Sequence, residues 1–163
     1  MEVGLIVAAD RSEGIAKDGQ IPWRLPSDMR HFRRMTTGTG HSTVLMGRTT
    51  WESLPERFRP LPGRRNLVLS RTAQAFPGAE QVATFEASLA AAAGSEALWV
   101  IGGAQVYAMA LAHPTVTVIE LTRVDADFGC DLRWAGVPAG FAQVRATPFS
   151  DGALSGTFER WER

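Results

Sequence analysis

The sequence predicts an α/β fold: a single domain on a central mixed, mostly parallel sheet of about eight strands, flanked by about four helices and closed by a C-terminal antiparallel hairpin. Three observations carry this. Val3 to Ala9 is a continuous apolar run, the pattern of a strand buried on both faces of a sheet and therefore central. Later apolar runs alternate with helix-forming stretches, and strands separated by helices pair in parallel. The last two strand-like runs, Phe141 to Thr147 and Gly156 to Trp161, are joined through Ser150-Asp-Gly-Ala, which reads as an antiparallel hairpin.

Length and charge narrow the function classes. At 163 residues the chain fits one domain, 1–163, with a core of useful size. Lys+Arg and Asp+Glu both number 17, so no global field draws the protein to nucleic acid or to an anionic membrane, and the expected partner is a small molecule. Cys130 is the only cysteine, and His31, His41 and His113 are far from metal-ligand spacing, so no metal site and a reducing, cytoplasmic setting are expected. The run Val3 to Ala9 is too short for a signal core or a membrane span.

After the first strand, Asp10 to Gln20 is polar, holds Gly14 and Gly19, and has no apolar periodicity; it reads either as a passive surface loop or as a lid over the adjoining stretch, Ile21 to Phe32. In that stretch Pro22 and Pro26 keep the chain extended, so the spacing predicts a helix from Ser27 or Asp28 to about Met35, with Ser27 as its cap. Asp28 and Phe32, four apart, share one face of it, and an acid beside a ring, near Trp23, suits a flat, nitrogen-rich ligand. The plainer alternative is that Asp28 only complements the helix dipole.

Ser42 to Met46 reads as a strand running through Gly47 into a helix that opens with Arg48, Thr49 and Thr50, an arrangement whose free N–H groups suit an anion. The loop from Arg57 to Arg65 gathers four arginines, suited to a carboxylate or phosphate but more often simply solvated. The strand Asn66 to Ser70 ends at Ser70-Arg71, which in an open α/β sheet lies at the same end as Arg48, where ligands gather. A weak strand at Ala79 to Val82 and an Ala-rich helix from Phe85 to Ala93 read as scaffold. Ala97 to Leu111 passes from strand through Gly102-Gly103 into a helix with apolar positions 106, 109 and 110, where backbone can approach a ligand closely. It fits neither the dinucleotide fingerprint nor a Walker loop. Thr115 to Arg123 is a further strand, followed by an acidic, irregular stretch, Asp125 to Asp131.

The ordered set P-W-x-L-P-x-D ending at Asp28, V-L-M-G-R-T-T-W-E-S around Arg48, P-L-P-G-R-R-N around Arg64, L-S-R at Ser70, and V-I-G-G-A-Q-V-Y around Gly103 resembles dihydrofolate reductase of the bacterial chromosomal type. The resemblance covers nearly the whole chain and implies hydride transfer from NADPH to the pterin ring of dihydrofolate, with a proton added at the neighbouring ring nitrogen. It implies tetrahydrofolate supply for one-carbon metabolism and inhibition by diaminopyrimidine antifolates; no feature of the sequence suggests an oligomer, so a monomer is expected. Residue by residue, it assigns Asp28 to the amino-pyrimidine edge of the pterin, Thr122 to the hydroxyl joined to Asp28, and Trp23 to the wall of the site. Ile6, Ala8, Phe32, Leu54, Leu61 and Ile101 fall where the family lines the substrate pocket, and Arg64 where it takes the α-carboxylate of the glutamate tail. Gly47, Arg48, Thr49, Thr50, Leu69, Ser70 and Arg71 fall on the phosphate side of NADPH. Ala8, Ile15, Ile101, Gly102, Gly103, Ala104, Gln105, Val106 and Tyr107 line the rest of it, with a cis bond at Gly102-Gly103. Ala104 stands where many members have a third glycine, Gln105 where many have arginine, and Ala16 where a glycine is common, which bears on cofactor affinity and lid motion. The rivals are a pyrimidine reductase of riboflavin synthesis, which needs neither the Asp28 helix nor Arg64, and a non-catalytic nucleotide- or pterin-binding module.

Overall fold

The computed structural model describes residues 1–163. Strands β1 (Glu2–Ala9), β3 (Thr43–Gly47), β4 (Arg65–Leu69), β5 (Glu80–Val82), β6 (Ala97–Val100) and β7 (Val118–Val124) are mutually parallel; β9 (Ala142–Asp151) and β10 (Leu154–Glu162) form the antiparallel hairpin. They make one eight-stranded, mostly parallel sheet in the order β5-β4-β3-β6-β1-β7-β10-β9, the fold class read from the sequence. Helices α1 (Pro26–Thr37), α2 (Arg48–Ser53), α3 (Phe85–Ala91) and α4 (Ala104–Leu111) supply the crossovers and cover the faces. The period of two along β1 divides the core: Val3, Leu5, Val7 and Ala9 join the larger cluster with Tyr107 and Ala110 of α4, while Ile6 joins the smaller one with Val44, Met46 and Trp51. No helix is long and apolar enough to cross a membrane.

The structure departs from the sequence reading in three places. The first is the start of α1, at Pro26 and without a side-chain cap from its own N-cap residue, Leu25. Proline is tolerated at the first helical position, where its missing N–H would have no partner anyway. Ser27 is therefore inside the helix, and its amide and hydroxyl both donate to Asp151 at the end of β9.

The second is the stretch from Asp10 to Gln20, which holds a short strand, β2 (Gly14–Ala16), paired antiparallel with β8 (Leu132–Arg133) from the acidic segment. Buried Asp10 fastens this pair by accepting the amides of Ser12, Gly14 and Phe128, and those bonds hold its carboxyl below the usual range against the opposing push of burial. Gly14 is required there, since a Cβ would stand 2.5 Å from that of Cys130. The third is α4, which buries Tyr107 with Val106 and Ala110 and leaves Met109 exposed.

Candidate active site

The site assembles where α1 faces β7. One helical turn separates Asp28 from His31 on α1, and one strand repeat separates Thr122 from Glu120 on β7, so the elements meet at two levels. At the upper level the Thr122 hydroxyl donates to Asp28 Oδ1 at 2.6 Å. At the lower level His31 Nε2 lies 3.9 Å from the fully buried Glu120 carboxylate, which is already held by Arg145 and Arg160. Sequence reading singled out Asp28 and Thr122 and missed the pair beneath them.

Asp28 is half-buried and Thr122 fully so. Burial pushes the Asp28 carboxyl above the ordinary aspartate range, the hydrogen bond from Thr122 opposes that push, and the charge of Asp151 adds to it. Tyr107 reaches under the same region from α4: its buried hydroxyl donates to the carbonyl of Ile6 at 2.8 Å. Burial and the nearby Asp28 charge push that phenol up, so it stays protonated. Trp23 is 7% exposed and leans on Phe128 at 5.2 Å between centroids, in a cluster with Leu25 and Val124 that half-buried Ala8 joins.

Away from this polar corner the wall is apolar. Ile6, Phe32, Leu54, Leu61 and Ile101 belong to one cluster, all but Ile6 only partly covered. The arginine-rich loop does not act as a block. Arg65 pairs with Glu80 at 2.8 Å, Arg59 donates to the Trp51 carbonyl and lies over that ring, and Arg57 lies over exposed Phe58. Arg64 is the one turned to α1, held by Thr36 Oγ1 at 3.0 Å and the Pro62 carbonyl at 2.8 Å. Buried Asn66 shapes that turn through three hydrogen bonds, one from the Leu61 amide and two to the carbonyls of Leu61 and Arg64.

A second set meets on the other side of β6. The Gly47 amide donates to the Gly102 carbonyl at 2.9 Å, and the Gly102-Gly103 bond is cis. Gly102 has φ of 136° and a Cβ there would stand 3.2 Å from Thr50 Oγ1, so only glycine fits. Val106 packs under Gly47, and Leu69 pairs with Gly47 in the sheet. Arg48 and Thr49 are exposed at the start of α2, with Arg48 3.7 Å from Glu52; Arg71 is exposed beyond β4, and Ser70 bonds only the backbone of Thr72 through its hydroxyl. Ala104 is half-buried and Gln105 exposed at the start of α4. Ile15 is buried in the larger core cluster with Val106 and Tyr107, away from the Asp28 face.

The family model for dihydrofolate reductase matches residues 2–163. The chain is 53% identical over 124 residues to dihydrofolate reductase of Mycobacterium tuberculosis (strain ATCC 25618 / H37Rv), covering 76% of this chain and 71% of that one. It is 44% identical over 124 residues to dihydrofolate reductase of Mycobacterium leprae (strain TN), covering 76% and 72%. To dihydrofolate reductase of Neisseria meningitidis serogroup A / serotype 4A (strain DSM 15465 / Z2491) it is 43% identical over 126 residues, covering 77% and 74%.

Proposed function

The chain belongs to the dihydrofolate reductase family, whose members reduce dihydrofolate to tetrahydrofolate, and we propose that it does so with NADPH, which supplies the hydride when bound. The observation that carries this reading is the Asp28–Thr122 pair, an under-partnered carboxylate at the edge of an otherwise apolar wall. Asp28 binds the amino-pyrimidine edge of the pterin, and its negative charge favours the protonated ring at the nitrogen beside the carbon that is reduced. Thr122 fixes the carboxylate and leaves its second oxygen for the substrate. The proton reaches the ring nitrogen from solvent, polarised by Asp28 rather than handed over by it. Trp23 walls the site, Phe32, Leu54, Leu61, Ile6 and Ile101 grip the ring and benzoyl group and exclude water, and Arg64 takes the tail carboxylate. Diaminopyrimidines compete by pairing with Asp28.

The residues present fit the dinucleotide. Gly47, Gly102 and Gly103 leave open backbone where side chains would obstruct it, and Arg48, Thr49, Thr50, Ser70 and Arg71 offer hydroxyl and guanidinium donors at the same sheet end. Ala8, Leu69, Ala104, Gln105, Val106 and Tyr107 flank that groove, and Ile15 supports it from the core. On this reading the enzyme is a cytoplasmic monomer; the lone Cys130 fits a reducing compartment.

The test is purified protein with dihydrofolate and either NADPH or NADH, followed by loss of reduced-nicotinamide absorbance. Turnover preferring NADPH is expected, and none would overturn the reading. Arg48→Ala should cut the preference for NADPH about tenfold, and an unchanged preference would move the 2′-phosphate elsewhere.

A further inference from the structure

α1 lacks the cap that its own sequence should provide, and the replacement comes from the hairpin, 124 positions away. Pro26 has no N–H, and the Met29 amide already bonds the Leu25 carbonyl. The Ser27 amide donates to Asp151 Oδ2 at 2.8 Å and the Ser27 hydroxyl donates to Oδ1. Both oxygens of Asp151 are thus used on the residue that precedes Asp28. The turn after it, through Gly152 at φ 65°, fixes where β9 ends and hence where this carboxylate stands.

We propose that Asp151 is a positioning residue of the reduction: its carboxylate, held on both oxygens by Ser27, caps the helix that carries Asp28 and fixes a negative charge beside the residue that precedes it. This rests on Asp28 being the pocket carboxylate of the proposed reaction. The groups facing Asp28 are few. β7 offers the neutral Thr122 and, one level down, Glu120, whose charge is met by two guanidiniums. α4 offers the protonated Tyr107 phenol, and α1 itself offers Arg30, which touches the Ser27 hydroxyl at 3.3 Å, and the neutral His31. Glu120 is met by hydrogen-bonded guanidiniums on both oxygens, whereas Asp151 has only the exposed Arg30 nearby, and its charge adds to the rise that burial gives the Asp28 carboxyl. Ser27 holds the Asp151 carboxyl below its usual range, so the charge is present throughout the neutral range.

Asp151→Asn separates cap from charge. The amide oxygen still accepts the Ser27 amide, and its NH2 can donate to the hydroxyl oxygen, so the helix start is preserved while the charge is lost. The readout is the Asp28 carboxyl titration by 13C NMR with labelled aspartate, assigned by the resonance that Asp28→Asn removes. In Asp151→Asn the proton affinity of Asp28 should fall about two- to threefold, the scale of an exposed charge pair, and the difference should close in 1 M salt. The pH at which hydride transfer falls to half should move down with it, and Asp151→Glu should restore both. An unchanged Asp28 titration, or a shift that persists in 1 M salt, overturns the proposal and reduces Asp151 to a cap. Absence of dihydrofolate reduction by the unaltered protein would instead defeat the functional reading, with the titration still deciding this one.

Discussion

Two carboxylates lie between α1 and β7 on neighbouring levels, and their surroundings are opposite. Glu120 is 1% exposed, and both oxygens receive guanidinium hydrogen bonds: from Arg145 at 3.1 and 3.0 Å and from Arg160 at 2.9 Å. Arg160 in turn holds Glu2 and Glu162. Asp28 has one hydrogen-bond partner, the neutral Thr122, no guanidinium on either oxygen, and an apolar wall beside it. The same helix and strand thus hold one acid whose interactions are complete within the fold and one left incomplete. Only the incomplete one has free energy to offer a ligand, because its burial cost is not yet offset.

Substituting each acid by its amide tests this division most directly. Asp28→Asn should lower kcat by about 10²- to 10⁴-fold, the range for loss of a group that assists a proton transfer, while NADPH binding, read by fluorescence titration, stays within about twofold. Its stability at pH 7 should rise by roughly 0.5 to 1 kcal/mol, since a neutral amide tolerates the site better than a carboxylate does. If turnover survives, the incomplete acid is not the functional one.

Glu120→Gln should do the reverse. Two guanidiniums lose their counter-charge, and breaking a buried pair costs about 3 to 5 kcal/mol, reduced here to roughly 2 to 3 because Arg145 is partly solvated. Urea unfolding at pH 7 measures that loss, and kcat of the folded fraction should fall by less than about fivefold. A large loss of kcat with little change in stability would place Glu120 on the functional side.

The contrast explains what was legible in the sequence. The continuous run of β1, the glycines at the starts of α2 and α4 and the closing hairpin are local patterns, so the eight-stranded sheet could be read directly. Asp28 and Phe32 are four apart on one helix, and Thr122 follows from the family resemblance. Glu120, His31 and Asp151 belong to no motif. Glu120 sits in an apolar strand where an acid reads as exposed, its partners Arg145 and Arg160 come from two later strands, and Asp151 looks like an ordinary hairpin-turn residue. Ser27 misled for the same reason: its sequence position suits a cap, but the cap comes from β9. The β2–β8 pair escaped because three and two residues carry too little periodicity.

His31 sharpens the comparison at the lower level. Its ring stacks on Phe158 at 4.2 Å, and burial, with the Arg34 and Arg145 charges, pushes it down to about 4. Glu120 does not reverse this, because 3.9 Å is beyond hydrogen-bond reach and its charge is already met. The unfolded chain binds this proton near pH 6.5 and the folded one only near 4, so stability is lost as pH falls between those values. His31→Phe keeps the stacked ring and should remove about 1 to 2 kcal/mol of the stability difference between pH 7 and pH 4.5, measured by urea unfolding. An unchanged slope would mean that His31 is already paired with Glu120.

Thr122→Val gives the smallest effect and the finest test. The Thr122 hydroxyl favours the charged form of Asp28, so losing it should raise the carboxyl further and move the pH at which hydride transfer falls to half upward. The cost in kcat/KM at pH 7 should be about tenfold, one hydrogen bond to a charged group. Asp151→Asn moves the same midpoint downward, and the two substitutions touch Asp28 from different elements. Their shifts should therefore oppose each other in the double variant, leaving a net upward shift smaller than that of Thr122→Val alone, because the hydrogen bond outweighs the more distant charge, with the tenfold loss from poorer positioning remaining. A double variant that keeps either single shift in full would show that the two groups do not act on the same carboxyl, and that Asp28 is not the incomplete acid on which both converge.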